Sequence, residues 1–162
     1  MTTALRTPHR IRRARHHHIL VVVDDPCASA GLCAGVQRSA DHAAVEALII
    51  APLRGAATQW YVDEDAARAD ATHRLRTCVS CLADGGIRAS GRLADPDPVE
   101  AIADALHDFP ADEILIVTAP RRPSSWLRED VIDRARRRFP QPVEHIVVAG
   151  QSRRGAAAPL GR

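Results

Sequence analysis

The chain has 162 residues, enough for one domain with a real core. Hydrophobic residues make up 46% and charged residues 26%, as in a globular protein, while aromatics at 3% argue against nucleic-acid binding through stacked rings. All 22 basic residues are arginine, which with the frequent alanine reflects GC-rich coding; five arginines in residues 1–18 and three in 150–162 turn a net +2 into −6 for the part between.

Residues 1–17 lack apolar periodicity and are expected to form an unstructured basic arm. Ile19–Val23 is a continuous apolar run, the mark of a strand buried on both faces, and Asp24-Asp25-Pro26 ends it. A short helix is expected over about Ser29–Asp41, weakened by Gly31 and Gly35. Leu48–Ile50 reads as a second buried strand stopped by Pro52, and a loop with Trp60 follows. Asp63-Glu64-Asp65 puts acid on the first turn of a long helix, where the helix dipole favours it. In that helix Leu75, Cys78, Val79 and Leu82 share one face, and Gly85-Gly86 ends it.

Ile87–Leu93 is a weaker, more peripheral strand. Asp97-Pro98-Val99-Glu100 combines a capping residue, a proline at the first helical position and the acid of a capping box. Val99, Ile102, Leu106 and Phe109 form that helix's buried stripe. Ile114–Val117 is a third buried strand. The last helix is expected over about Ser125–Arg138, with Leu127, Val131, Ala135 and Phe139 on one face. Pro140 and Pro142 separate it from the final strand, Val143–Val148, and 150–162 read as a second unstructured tail.

This alternation predicts an α/β domain over residues 18–149: a doubly wound, Rossmann-like, five-stranded parallel sheet with helices on both faces. Open sheets of this kind bind ligands beyond the strand C-termini, at the switch in strand order. Here those ends are Asp24, Ala51-Pro52 and Thr118–Arg122. No apolar run reaches signal-peptide or membrane length, so a cytoplasmic protein with no membrane partner is expected.

Cys78-Val79-Ser80-Cys81 has the spacing of a zinc knuckle or redox pair. It falls late in a helix, and Cys78 belongs to the apolar stripe, so packing as a small hydrophobe is the favoured reading. His9 and His16–His18, beside five arginines, could hold a metal or a polyanion; a solubilising arm is favoured, and no specific nucleic-acid partner is expected. There is no G-x-S-x-G elbow, no P-loop and no GxGxxG. Asp41-His42 and Glu144-His145 have no nucleophile placed beside them by any motif, so neither catalytic nor metal-binding residues are expected.

Three stretches resemble the universal stress protein family. ILVVVDD (19–25) is similar to its opening strand ending in Asp, and DPVEAIADALHDFPADEILIVTAP (97–120) to the helix and strand leading into its phosphate loop. SSWLREDVIDRARRRFPQPVEHIVV (124–148) is similar to its closing helix, turn and last strand. The likeness runs in order over about residues 19–149, and with Trp60 and the acidic helix start it resembles the divergent actinobacterial branch. It implies strand order 3-2-1-4-5, a stress-response role without catalysis, and a homodimer through the last strand.

The family's nucleotide-binding members share Gly-x-x-Gly, about nine residues, then Gly-Ser/Thr; the glycines bring N–H groups against phosphate and the hydroxyl adds a donor. Here Thr118 and Arg121 stand at the first two glycines, Glu129 and Asp130 at the Gly-Ser, and Pro120 and Pro123 remove two donors. The comparison implies that family-style ATP binding is lost and no cofactor is held. A second reading stays open, an ATP or AMP sensor. In it Arg121 and Arg122 grip phosphate with their side chains, and Ser124 or Ser125 adds a hydroxyl at a helix N-terminus. Asp24, matching the strand-end Asp, then contacts the nucleoside. The plainer alternatives are solvated loop charges at Arg121 and Arg122 and a turn-forming Asp24 before Pro26. A third reading, a nucleotide hydrolase or adenylyl-transferring enzyme, rests on fold analogy alone.

Overall fold

The computed structural model describes residues 16–24, 30–40, 44–53, 64–120 and 130–148. The expectations for the arm up to residue 15, Cys27, Trp60, Arg121, Arg122, Ser124, Ser125, Leu127, Glu129 and the tail from 150 lie outside the described residues.

In chain order the elements are β1 (His17–Val23), α1 (Ala30–Ser39), β2 (Val45–Pro52), α2 (Glu64–Asp84), β3 (Arg88–Ala94), α3 (Pro98–Asp108), β4 (Glu113–Thr118), α4 (Val131–Arg138) and β5 (Val143–Val147). The five strands form one parallel sheet in the order β3-β2-β1-β4-β5, as expected. Central β1 sets Ile19 opposite Ala47 on one side and Glu113 on the other.

Because side chains alternate across a strand, β1 feeds two separate cores. Ile19, Val21 and Val23 pack with Leu32 and Val36 of α1 and with Ala71, Cys78 and Leu82 of α2. Leu20 and Val22 pack on the other face with Val99, Ile102 and Ala105 of α3 and with Val131 and Ala135 of α4. The continuous apolar runs of β1, β2 and β4 follow directly, since each must supply both layers.

The end of α2 is built as its two glycines suggest. Gly86 takes φ +76°, Ile87 N–H reaches back to the Leu82 carbonyl (2.9 Å), and Gly86 N–H to Ala83 (2.9 Å). This is a Schellman turn, with Ile87 and Leu82 buried together in one core.

β2 runs Val45–Pro52, longer than the expected Leu48–Ile50 and with Pro52 paired to Ala94 rather than ending it, and three further features also depart from expectation. β1 begins at His17, inside the stretch expected to be an unstructured arm, because its N–H finds the Ala44 carbonyl (2.8 Å) and the chain pairs with β2 from that residue on. The capping box is half made. Asp97 accepts from the N–H groups of Val99 and Glu100, but Glu100 turns to Arg138, and the Asp97 N–H goes to Asp95 instead. The last helix begins at Val131 rather than Ser125, because Asp130 holds a left-handed backbone (φ 52°, ψ 31°) that no α-helix can continue through.

Candidate functional site

The C-terminal ends of β1, β2 and β4 lie side by side in the sheet and meet where the strand order reverses about β1. Asp24, Ala51 and Thr118, three of the seven candidate residues, are brought together there; Arg121, Arg122, Ser124 and Ser125 fall outside the described residues. Asp24 is almost fully buried, and its N–H donates to the Val117 carbonyl (3.1 Å), fastening the end of β1 to β4. Ala51 is buried in β2 opposite Leu93, and its methyl group packs into the core shared with α1 and α2.

Thr118 is fully buried, and its hydroxyl meets Nε2 of His145 at 2.8 Å. The Thr118 carbonyl accepts from Val148 N–H (2.8 Å), so both its polar ends are engaged toward β5. Burial holds the His145 imidazole below its ordinary pKa, and the charge of Arg136 adds to the effect. A neutral ring is the form that can share one proton with the Thr118 hydroxyl.

Arg74 is the principal group missed in the sequence. It lies on α2, fully buried, and its guanidinium reaches over the strand ends. Nη1 donates to the carbonyls of Val23 (2.9 Å) and Asp24 (3.4 Å), Nη2 to that of Pro52 (2.8 Å), and Nε to the half-exposed Asp70 carboxylate (3.1 Å). Parallel strands end in carbonyls that β2 and β1 cannot satisfy themselves, and one planar fork serves both. The signal was present: Ala71, Arg74, Cys78 and Leu82 follow one another at spacings of three, four and four, so Arg74 stands on the helix's apolar stripe. His145 left no comparable local trace, since its partner is set by the β4–β5 alignment.

At the start of α4, Asp130 carries a carboxylate on a left-handed backbone, the conformation glycine takes most readily. Its side chain makes no capping bond to α4. At the opposite, N-terminal end of the strands, His17 approaches Asp112 (3.6 Å) and Glu113 (3.4 Å). Among the described residues no group of three or more His, Cys, Asp or Glu side chains is placed to hold a metal ion, and no helix is long and apolar enough to cross a membrane. Cys78 packs in the core, whereas Cys81 turns to Cys33 of α1.

No protein-family profile and no curated protein matches the chain. Several solved structures do. The universal stress protein from Archaeoglobus fulgidus in complex with dAMP superposes with a TM-score of 0.57 at 23% identity, over 81% of this chain and 98% of that one. A universal stress protein family member from Burkholderia pseudomallei gives 0.52 at 22%, over 79% and 94%. A universal stress protein in complex with cAMP gives 0.53 at 17%, over 83% and 98%. The chain therefore has the universal-stress-protein fold, an α/β, Rossmann-like domain with its sheet in the order 3-2-1-4-5.

Proposed function

We propose that the protein is a non-enzymatic, stress-response protein of universal-stress-protein type whose crevice does not take ATP in the family's manner. The observation that carries this reading is Asp130. At the entry to α4 Asp130 holds a left-handed backbone and carries a carboxylate where the resemblance puts the hydroxyl of Gly-Ser/Thr, a phosphate contact. A second anion there is repelled at short range. Thr118 supports the same reading, because a buried side chain engaged with His145 stands where a bare glycine would let phosphate approach. The actinobacterial placement rests on the sequence resemblance, and the cytoplasmic location on composition.

A second reading is favoured by the dAMP and cAMP complexes of two structural neighbours. A monophosphate brings less charge to Asp130 than ATP does, and Arg121 with Arg122 would supply the countercharge. Melting temperature followed against ATP, ADP, AMP, dAMP and cAMP, with Mg²⁺, separates the two. A ligand at a hundred times its Kd adds about 2.7 kcal/mol, a rise on the order of 10 °C. The first reading expects no shift with any nucleotide at millimolar concentration. A saturable shift with monophosphates alone establishes the second, and one with ATP overturns the first. Release of product from ATP would overturn the non-enzymatic assignment.

A further inference from the structure

We propose that Cys33 and Cys81 form a reversible disulfide that joins α1 to α2, a modification site whose oxidant is a hydroperoxide. The two sulfurs lie 3.6 Å apart, although 48 residues separate them in sequence. That is too long for an S–S bond of about 2.05 Å and close enough for side-chain rotation to make one. The Cys33 thiol is already aimed: it donates to the Cys81 carbonyl at 3.2 Å. Both residues are half-buried, so a small oxidant can reach them, whereas Cys78, three residues earlier in α2, is sealed in the core. Cys78 thus packs as a small hydrophobe, as the sequence favoured, while Cys81, three residues on, faces α1 rather than the sheet.

Gly85 makes the room. A Cβ at that position would stand 2.9 Å from the Cys33 sulfur and 3.5 Å from its Cβ. With only a hydrogen there, the thiol sits against the end of α2 without a clash.

The chemistry balances on the two thiols and one hydroperoxide. One thiolate attacks the peroxide, the O–O bond breaks, and a sulfenic acid forms with release of water or an alcohol. The second thiolate attacks the sulfenic sulfur, the S–O bond breaks, and the oxygen leaves as water. Two electrons pass from the sulfurs to the peroxide, and the two thiol protons end in the released molecules. A dithiol reverses the bond by exchange. The link ties α1, the helix that follows the Asp24 strand end, to the helix that carries Arg74.

The test uses the full chain, first reduced and then treated with one equivalent of hydrogen peroxide. Trypsin releases residues 16–38 and 77–88, each holding two of the four cysteines, so fragmentation of the linked pair must assign the bond. The expected result is an intramolecular Cys33–Cys81 link, reversed by dithiothreitol and abolished in Cys33→Ser. The double variant Cys27→Ser, Cys78→Ala should keep the link and fall from two reactive thiols to none. Bonding through Cys27 or Cys78, links only between molecules, or sulfinic acids in place of a bond would each overturn the proposal. The wild-type mapping decides the matter even where a variant fails to fold.

Discussion

At the scale of single residues, Arg74 and His145 matter most, and they act in different ways. The partners of Arg74 are main-chain carbonyls, which no substitution at Arg74 can remove. Replacing it leaves them buried and unsatisfied, so Arg74→Met should cost about 3 kcal/mol despite similar volume. Its ion pair with half-exposed Asp70 contributes little, and Asp70→Asn should cost less than about 1 kcal/mol. Urea unfolding of both variants checks the ranking; equal losses would mean that the ion pair, not the carbonyls, holds the guanidinium. For His145 the folded pKa lies below the unfolded value near 6.5. The neutral ring's contribution is thus fully present above about pH 6.5 and is lost as pH falls through the lower folded value. Wild-type melting temperature should drop more steeply from pH 7 to pH 5 than that of His145→Gln, and parallel curves would contradict this.

At the scale of elements, α3 and α4 are clamped side by side. Arg134 reaches Asp97 at 3.0 Å, and Arg138 grips both oxygens of Glu100. Burial alone would raise the Asp97 pKa, but Arg134 and the N–H groups of Val99 and Glu100 outweigh it and hold the carboxyl below its ordinary value. Stability from Asp97 is therefore present above about pH 4 and lost as pH falls through its lower folded value. Asp97→Ala should cost about 1.5 kcal/mol and Asp97→Asn less than half of that, since Asn still caps and loses only the exposed pair. Chemical denaturation at pH 7 measures both, and equal costs would assign the effect to the pair. The start of α3 was legible because capping is local: Asp97 and Pro98 act within a turn of their own positions. What Glu100 does was not, because its partner Arg138 is 38 residues away. The start of α4 was misread for a related reason, since amphipathic spacing continues through Asp130 while its backbone does not.

At the scale of the whole molecule, the strand order followed from alternation and from the resemblance, and both layers of the core were visible as unbroken apolar runs. The crevice was located by topology, which put Asp24, Ala51 and Thr118 at one end of the sheet. The side chains that fill it came from α2 and β5, whose approach depends on packing over long sequence separations. The two edges of the sheet differ. β3 carries Arg88 and Arg92, charges that blunt an edge, whereas β5 exposes Val147 at 55% of its surface. We propose that a homodimer forms along β5. Val147→Lys should convert it to a monomer in light scattering at micromolar concentration; a wild-type monomer under those conditions would dismiss the dimer.

The two-faced burial of β1 has a consequence for how the chain finds its pairing. Where one face of a strand is wet, a slip of one residue is punished by exposing apolar side chains. Both faces of Ile19–Val23 are apolar, so a slipped β1 would lose little by that measure. Arg74 supplies the missing penalty. One step along a strand moves each carbonyl by about 3.3 Å, enough to carry Val23 or Pro52 out of reach of the guanidinium. A single buried arginine thus acts as a gauge block for the two strands it touches, adding a fixed reference at their ends to the match of their apolar runs.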